Sequence, residues 1–237
     1  MSDSLAIILA RGGSKRLPHK NVIDFFGKPM FAWSVEAALQ SGCFGRVIVS
    51  TDDRVIAEIA ERHGAEAPFL RDAAADDSAT ASSASIIALR QAENHWGETY
   101  DFVAQLMANC PLRTAVDVRE GVARFKKSGA AAQSSCFNLG WSNPWWAAKT
   151  DVNGVPDYLF PDATTKRSQD LPPLYGPTGA LWIARRDSLL KAGSFYTEGH
   201  RWHPLSRMSA TDIDDEEDLL FARACFLVRN GRLDSSV

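Results

Sequence analysis

A short basic loop near the start of the chain carries residue types that bind phosphate. Four cations lie within ten positions around a glycine pair, in the order Arg11, Gly12, Gly13, Lys15, Arg16 and Lys20. Glycines let backbone N–H groups approach phosphate oxygens, and Arg and Lys side chains supply the opposite charge. The loop follows neither the GxGxxG nor the GxxxxGK[ST] pattern, so a basic solvated turn is the alternative. Because like charges repel, a solvated turn alone gives no reason for this clustering directly behind an apolar run.

A second group of candidate residues is acidic and lies near the other end of the chain. Asp212 and Asp214 are two residues apart, so on an extended chain both carboxylates point to one face and can reach one ion. The alternative is structural, because Asp214-x-x-Glu217 has the form of a capping box for a following helix. Asp215, Glu216 and Asp218 fit a solvated first turn that the helix dipole favours.

Alternating β-type runs and amphipathic stretches must position these two groups. The apolar run at residues 5–9 predicts a central strand buried on both faces, and the basic loop follows it directly. Ligands of open α/β sheets lie at such carboxyl ends of strands. Further strands are predicted at 46–51, 65–70, 102–106, 131–137 and 179–184, helices at 29–42, 53–62, 81–94, 116–127 and from 187, and a strand-to-helix unit at 210–230. This alternation predicts an α/β fold with a mostly parallel sheet.

Residues 138–177 differ in character from the rest of the chain. They contain six prolines and three tryptophans, and Asn153-Gly154 is a strong signal for a two-residue hairpin turn. We interpret them as an inserted arm, and residues 1–137 and 178–237 as the main domain.

Composition excludes several classes of partner. A formal charge of -3 argues against nucleic acid or an anionic membrane surface as the main partner. The four cysteines are widely spaced and form no CxxC pair, which is typical of thiols in a reducing compartment. The first apolar run is too short for a signal peptide, and no stretch approaches the ~18–20 apolar residues of a membrane span. We therefore expect a cytoplasmic protein.

Five motifs occur in order from Leu5 to about Leu220: ILARGGSKRLPHKN, FGKP, VIVSTDD, PLR and DIDDEEDL. This ordered set resembles the CMP–sialic acid synthetases, also called acylneuraminate cytidylyltransferases. The resemblance implies a three-layer, Rossmann-like nucleotidyltransferase fold. It also implies transfer of CMP from CTP to the 2-hydroxyl of a nine-carbon keto acid, assisted by Mg²⁺ and releasing pyrophosphate.

The resemblance assigns the donor nucleotide to the basic loop and the metal to the acidic pair. Arg11 and Lys20 would neutralise charge on the leaving pyrophosphate, an electrostatic role, and Asp212 and Asp214 would hold Mg²⁺. The implied CTP-binding residues are Arg11, Gly12, Gly13, Ser14, Lys20, Asn21, Arg71 and Ser82. Arg71 could instead be a surface residue at a strand end, and Ser82 a helix N-cap. Residues 77–82 as a whole look like nucleobase and ribose contacts.

Three further residues lie in the VIVSTDD and PLR motifs. Asp52 and Asp53 follow a strand and are expected to cap the next helix, outside the site. Arg113 of the PLR motif fits either a role near the sugar or phosphates or packing at a strand end.

The family's arm packs against a second subunit and reaches towards its active site, which implies a homodimer with exchanged arms. Arg167 would bind the acceptor's carboxylate, although a serine stands where a strict alignment places an arginine, so Arg167 is shifted or another residue serves. The acceptor-binding residues so implied are Gln105, Met107, Arg167, Gln169, Trp182, Phe195 and Tyr196. Aromatic residues at strand ends are also commonly core residues.

One departure from the family's pattern concerns acceptor choice. Met107 stands where sialic acid enzymes commonly have a sugar-binding glutamine, while Gln105 lies two positions earlier. A thioether favours a methyl group over a hydroxyl, so we hypothesise a preference for a 9-deoxy diacetamido sugar of the legionaminic or pseudaminic type over N-acetylneuraminate.

The alternative functions are another sugar nucleotidyltransferase, such as one acting on Kdo, and a non-catalytic nucleotide-binding module. A redox enzyme is disfavoured because the first loop lacks GxGxxG.

Overall fold

The computed structural model describes residues 4–14, 16–71 and 80–231. Its six main strands are β1 (Ser4–Leu9), β2 (Arg46–Ser50), β3 (Phe102–Met107), β4 (Ala132–Asn138), β7 (Tyr175–Arg185) and β8 (Arg201–Leu205). They form one sheet in the order β2-β1-β3-β7-β4-β8. The neighbours β2-β1, β1-β3 and β4-β8 are parallel, and β7 is antiparallel to both β3 and β4. The prediction of an α/β fold with a mostly parallel sheet is confirmed.

Helices cover both faces of this sheet. They are α1 (Met30–Ser41), α2 (Arg54–Arg62), α3 (Ala81–Trp96), α4 (Ala115–Ser128), α5 (Arg186–Ala192) and α6 (Glu216–Arg229). One core cluster joins Ala6 and Ile8 of β1 to residues of α1, α2 and α4. A second joins Leu5 and Ile7 of the same strand to residues of α3 and α5. Successive strand residues point to opposite faces, so a strand covered on both sides must be apolar throughout, which gives the predicted three layers.

Two predicted strands are absent from the described sheet. Residues 65–70 contribute only a single bridge, from Glu66 to Ile48, beyond the edge strand β2. Residues 210–214 form no ladder, because Ile213 donates its N–H to the carbonyl of Asn109 beyond the end of β3 and its side chain enters a separate core cluster near α6. Apolar content predicted strands at both places, but each segment packs without a continuous hydrogen-bonded neighbour.

The predicted arm leaves the sheet after β4 and returns to it at Tyr175. It contains a hairpin of β5 (Ala148–Thr150) and β6 (Pro156–Tyr158). The hairpin forms as expected, but its connection is five residues long, not two. The Asp151 carboxylate accepts the N–H groups of Asn153 and Val155, and Gly154 takes a positive φ of 80°. The asparagine-glycine signal therefore located the turn correctly, while the Asp151 side chain set its length.

Within the described parts of the chain, none of the helices combines the length and apolar character that crossing a bilayer requires.

Candidate active site

A cleft of about 320 Å³ opens at the carboxyl ends of β1 and β3. Its walls are the basic loop, the first turn of α3 and the segment before α6. The lining residues are Leu9, Arg11, Lys20, Asn21, Arg71, Thr80, Ala81, Ala84, Met107, Ala108, Asn109, Asp212 and Asp214. The fold thus brings the basic loop and the acidic pair, about 190 residues apart in sequence, into one site.

The basic loop is held from two sides. The N–H of Gly12 donates to Asp52 Oδ1 at 2.9 Å, and the Asn21 side-chain amide donates to the carbonyl of Arg11 at 2.8 Å. A Cβ atom on Gly12 would lie 2.8 Å from Asp53 Oδ2, so this position admits only glycine without rearrangement. The loop conformation is therefore set by contacts with the end of β2 and the start of α2.

Asp52 and Asp53 were both predicted to cap the next helix, but their contacts differ. Asp53 caps α2 by accepting the N–H groups of Val55 and Ile56, as expected. Asp52 instead anchors Gly12, so the prediction that it only caps a helix was wrong. The contact between Asp52 and Gly12 follows from the sheet order. Because β2 is the parallel neighbour of β1, the loops that follow these two strands leave the same edge of the sheet.

The cationic loop and the acidic pair contact each other directly. Lys20 Nζ lies 2.9 Å from Asp214 Oδ1, and Arg16 Nη2 lies 2.7 Å from Asp214 Oδ2. Burial tends to raise the pKa of Asp214, but the hydrogen bond and charge of Lys20, with those of Arg16, outweigh burial and lower this pKa. Asp214 is therefore a stable carboxylate that already binds two cationic groups.

Asp212 has a different electrostatic environment. Desolvation in the cleft, followed by repulsion from Asp214, raises the pKa of Asp212 to about 6, although Lys20 acts in the opposite direction. Its surface remains partly open to solvent. Asp212 Oδ1 accepts a hydrogen bond from the side-chain amide of Asn109, a residue that the sequence did not single out.

The predicted capping box before α6 is displaced by one residue. Asp215, not Asp214, is the N-cap, and it pairs reciprocally with Asp218, not with Glu217. This shift leaves the side chain of Asp214 free of the helix terminus and directed at Lys20.

The start of α3 forms the wall opposite the acidic pair. Arg71 lines the cleft and is only 8% exposed. Burial lowers the pKa of its guanidinium group; the charge of Asp52 opposes this shift, and the charge of Arg11 adds to it. Thr80 is the N-cap of α3, and its side chain accepts the N–H of Ser83. Ser82 is buried and its hydroxyl accepts the N–H of Phe195, so neither the N-cap role nor a place on the cleft wall fits it. Residues 77–79 of the predicted nucleobase segment lie outside the described residues, as does Lys15.

Gly13 and Ser14 belong to the same loop but are not among the described residues that line the cleft. Gly12 lines a neighbouring cavity of about 250 Å³ together with Arg11 and Asn21. Their predicted contacts with CTP stay predictions.

Of the two β3 residues predicted to bind the acceptor, Met107 lines the cleft, whereas Gln105 does not. A Cβ on Gly179 would lie 2.5 Å from Met107 Cγ, so the thioether chain packs directly on the backbone of β7. Gln105 is fully buried opposite Trp182, and both polar atoms of its amide lack a hydrogen-bond partner among the described residues. Burying an amide without hydrogen-bond partners lowers the stability of a fold, so Gln105 is an unusual polar residue for the interior of this sheet.

The three predicted aromatic residues are in contact with one another. Trp182 lies at the centre, with ring centroids 5.8 Å from Phe195 and 5.4 Å from Tyr196, and its indole N–H donates to the carbonyl of Thr178. Phe195 is fully buried in the core, and none of the three is among the described residues that line the cleft. Tyr196 is half-exposed.

Arg167 and Gln169 lie on the arm and are not among the described residues that line the cleft. The Arg167 guanidinium instead pairs with the Asp170 carboxylate through contacts of 2.7 and 3.1 Å. Arg113 is buried, and its Nη1 donates to the carbonyl of Ala180 at 2.5 Å, which ties the end of β3 to β7. Burial lowers the pKa of Arg113 to about 10. Its contacts favour strand-end packing over a contact with substrate.

Known proteins resemble this chain in sequence and in fold. Residues 5–138 match the model of the family described as Cytidylyltransferase. The pseudaminic acid cytidylyltransferase of Campylobacter jejuni (subsp. jejuni serotype O:23/36, strain 81-176) is 34% identical over 231 residues, which cover 96% of this chain and 97% of the relative. The CMP-N,N'-diacetyllegionaminic acid synthase of Legionella pneumophila is 34% identical over 221 residues, covering 90% and 92%.

Among solved structures, CMP:2-keto-3-deoxy-manno-octonic acid synthetase complexed with CTP aligns over 98% of this chain and 100% of its own, with a TM-score of 0.71. Its sequence is 19% identical, so this likeness shows a shared fold. The family match covers more than half of the chain, and the Campylobacter relative matches almost end to end. The chain therefore belongs to the cytidylyltransferase family of nucleotidyltransferases.

Proposed function

We propose that this enzyme transfers CMP from CTP to the 2-hydroxyl of a nonulosonic acid and releases pyrophosphate. The observation that carries the proposal is the contact between Lys20 of the basic loop and Asp214 of the acidic pair, 2.9 Å apart at the ends of the parallel strands. A phosphate-binding cation and a carboxylate suited to a divalent ion thus share one cleft. The relatives at 34% identity are named for pseudaminic and legionaminic acids, which supports a nine-carbon acceptor.

The residues of the cleft fit a Mg²⁺ ion. Mg²⁺ takes oxygen ligands and commonly only one or two carboxylates from the protein, while phosphates and water complete its shell. Asp212 and Asp214 supply two carboxylates, and the described residues contain no cluster of three or more His, Cys, Asp or Glu side chains that could hold a metal. When bound, Mg²⁺ would neutralise phosphate charge and lower the pKa of the acceptor hydroxyl.

The chain's own residues would then stabilise the leaving group. The acceptor's 2-hydroxyl oxygen attacks the α-phosphorus in line and gives up its proton to solvent. The bond from that phosphorus to the oxygen it shares with the β-phosphorus breaks, and that oxygen leaves with pyrophosphate. Arg11 and Lys20 face the cleft where charge on that oxygen develops. Lys20 leaves Asp214 for the phosphates in this scheme, so the ion pair of the free protein holds the lysine close to its place of action.

For the acceptor we propose a 9-deoxy diacetamido sugar in preference to N-acetylneuraminate. Met107 on the cleft wall supports this choice, because its thioether offers apolar contact where a glutamine would offer hydrogen bonds. Trp182, the partner of Gln105 on the neighbouring strand, and Tyr196 add aromatic contacts near this part of the sheet.

We further propose a homodimer in which the arm of one subunit serves the other. Arm residues are exposed although many are large and apolar, including Trp141 at 79% and Leu159 at 51%. Several large apolar side chains exposed on one short segment are typical of a surface that contacts another chain. Arg167 and Gln169 would then reach the partner's acceptor site, since the cleft of their own chain does not include them.

We also place the reaction in the cytoplasm. Cys110, Cys136 and Cys225 form no disulfide among the described residues, which supports a reducing compartment.

A pyrophosphate-release assay tests the reaction class. Release is expected with CTP and a nonulosonic acid together and not with either alone, and substituting ATP, GTP or UTP for CTP should lower the rate by at least ~10-fold. CTP-dependent release with Kdo and none with a nine-carbon acid would instead assign the chain to the Kdo branch. Binding of CTP without release for any acceptor would indicate a non-catalytic nucleotide-binding module.

A further inference from the structure

Asn109 holds the segment that carries both candidate metal ligands. It lies two residues beyond the end of β3 and is 8% exposed. Its side-chain Nδ2 donates to Asp212 Oδ1 and, at 2.9 Å, to the carbonyl of Ile213; it also lies 3.4 Å from Asp214 Oδ1. Its backbone carbonyl accepts the N–H of Ile213 at 2.9 Å. One residue therefore contacts all three consecutive positions from 212 to 214.

No strand ladder supports this segment within the described residues, so its backbone needs other partners. Ile213 anchors it by entering the core with 0% exposure, and this directs the flanking Asp212 and Asp214 towards the cleft. Core packing fixes the depth of the segment but not the orientation of the two carboxylates. The amide of Asn109 contacts an oxygen of each carboxylate, and Lys20 and Arg16 contact Asp214 from the other side of the cleft.

The two carboxylates also repel each other, and their cationic neighbours do not balance them equally. Asp214 forms ion pairs with both Lys20 and Arg16. Asp212 accepts a hydrogen bond from the neutral amide of Asn109, and Lys20 stabilises its charge without a direct ion pair among the described contacts. A neutral donor lets two like charges approach without adding a competing cation that a metal ion would have to displace.

We propose that Asn109 is a positioning residue that sets the orientation of the Asp212 and Asp214 carboxylates for a divalent cation. The inference rests on the metal role of the acidic pair in the proposed function. The inference adds that two carboxylates are enough to bind the cation, because the uncharged side chain of Asn109 holds them in place. Outer partners of this kind typically change metal affinity by about 10- to 100-fold.

Binding of Mn²⁺ to the full-length protein with CTP and without acceptor tests this directly, since the readout, free Mn²⁺ by electron paramagnetic resonance, does not depend on turnover. Asn109→Ala is expected to weaken Mn²⁺ binding about 10- to 100-fold. CTP affinity measured in EDTA should fall by clearly less than Mn²⁺ affinity, because Asn109 would act mainly on the metal ligands. The matched control is Asn230→Ala, which removes an exposed asparagine from the end of α6 and should bind Mn²⁺ like the wild type.

Asn109→Asp provides a second variant whose effect differs from a general loss of structure. A third carboxylate should lower the melting temperature of the metal-free protein, and added Mn²⁺ should raise that temperature more than it does in the wild type. In steady state, Asn109→Ala should raise the Mg²⁺ concentration for half-maximal activity, with kcat largely recovered at high Mg²⁺.

Unchanged Mn²⁺ affinity in a folded Asn109→Ala protein would overturn the proposal and leave Asn109 a purely structural residue. Equal loss of stability and of CTP affinity, with no separate loss of metal affinity, would overturn it as well. Failure of the proposed function looks different: Asp214→Asn would then bind Mn²⁺ as tightly as the wild type, whatever Asn109 does. Should Asn109→Ala not fold, Asn109→Ser carries the same expectations with a smaller donor.

Discussion

Asp212 and Asp214 are chemically identical side chains with different environments. Asp214 contacts Lys20 and Arg16 and has a lowered pKa, whereas the pKa of Asp212 is raised to about 6. Spacing in the sequence predicted that the two carboxylates act together, and they do share one cleft. Their unequal ionisation depends on which of them the distant basic loop contacts, and spacing alone contains no information about that contact.

The raised pKa of Asp212 predicts a conflict between stability and function. Its pKa is above the ordinary 3.8, so the folded state favours the protonated carboxyl group. The contribution of this protonated group to the stability of the fold is complete below pH 4 and is lost as pH rises through about 6. Because Asp212 is partly exposed, screening reduces the cost of ionising it to about 1 kcal/mol.

Asp212→Asn should therefore stabilise the metal-free protein at pH 7, raising its melting temperature by about 2–4 °C. Thermal unfolding in EDTA measures this, and the difference should vanish near pH 4. Asp101→Asn, at an exposed position just before β3 and off the arm, is the control and should leave the melting temperature unchanged at both pH values. A variant that is less stable than the wild type at pH 7 would show that the ionised carboxylate is structurally required.

Lys20 is the cation expected to matter most in catalysis. Its side chain is mostly buried, with 15% exposure, and it lines the cleft within hydrogen-bonding distance of Asp214. Lys20→Ala should lower kcat/KM by about 10²- to 10³-fold, the typical loss for one donor to a developing oxyanion. Lys191→Ala, an exposed lysine on α5, should change it less than about 2-fold. A decrease below about 5-fold for Lys20→Ala would remove this lysine from the catalytic group.

At the scale of elements, the basic loop depends on the elements that flank it. A Cβ on Gly12 would collide with Asp53, the N-cap of α2, whereas a Cβ on the adjacent Gly13 would meet no atom within 4 Å. The same methyl group added at the two neighbouring positions should therefore have different effects.

Gly12→Ala should displace the Asp53 carboxylate and destabilise the protein by about 1 kcal/mol, the typical value of an N-cap. Gly13→Ala should have a free energy of unfolding within about 0.5 kcal/mol of the wild type. Urea denaturation of the two variants measures the difference. Equal unfolding midpoints would show that the loop yields without disturbing the helix cap.

Most helices and strands can be predicted from local sequence pattern, whereas the start of α6 depends on contacts with distant residues. The helices at α1, α2, α3 and α4 and the strand β1 match their predicted positions closely, because apolar period and capping residues are encoded locally. The capping box before α6 was misplaced by one residue because consecutive acidic residues offer two overlapping frames. Contacts of Asp214 with distant residues favour the observed frame, and one of these residues, Lys20, lies 194 positions away.

At the scale of the whole molecule, the arm is the feature that a single chain does not explain. The excursion between β4 and β7 was predicted from its prolines and tryptophans, and it does leave the sheet. Its sequence cannot specify what its exposed apolar residues contact, because a partner's surface leaves no periodic pattern in them.

A charge placed on the arm should separate the subunits of the proposed dimer. Leu159→Asp is expected to give a monomer by light scattering after gel filtration and to raise KM for the acceptor, because Arg167 would no longer reach the partner's site. Leu220→Asp on α6 is the control, since Leu220 is similarly exposed at 61% but lies off the arm. A wild-type protein that is monomeric at micromolar concentration would refute the dimer.

The most direct measurement is kcat/KM with CTP for four acceptors: pseudaminate, legionaminate, N-acetylneuraminate and Kdo. We predict that a diacetamido acid is preferred over N-acetylneuraminate by at least about 10-fold, in line with the discrimination one apolar contact provides, and that Met107→Gln narrows this ratio. Turnover of N-acetylneuraminate at equal or greater efficiency than either diacetamido acid would contradict the acceptor assignment. Turnover of none of the three nine-carbon acids would contradict the function itself.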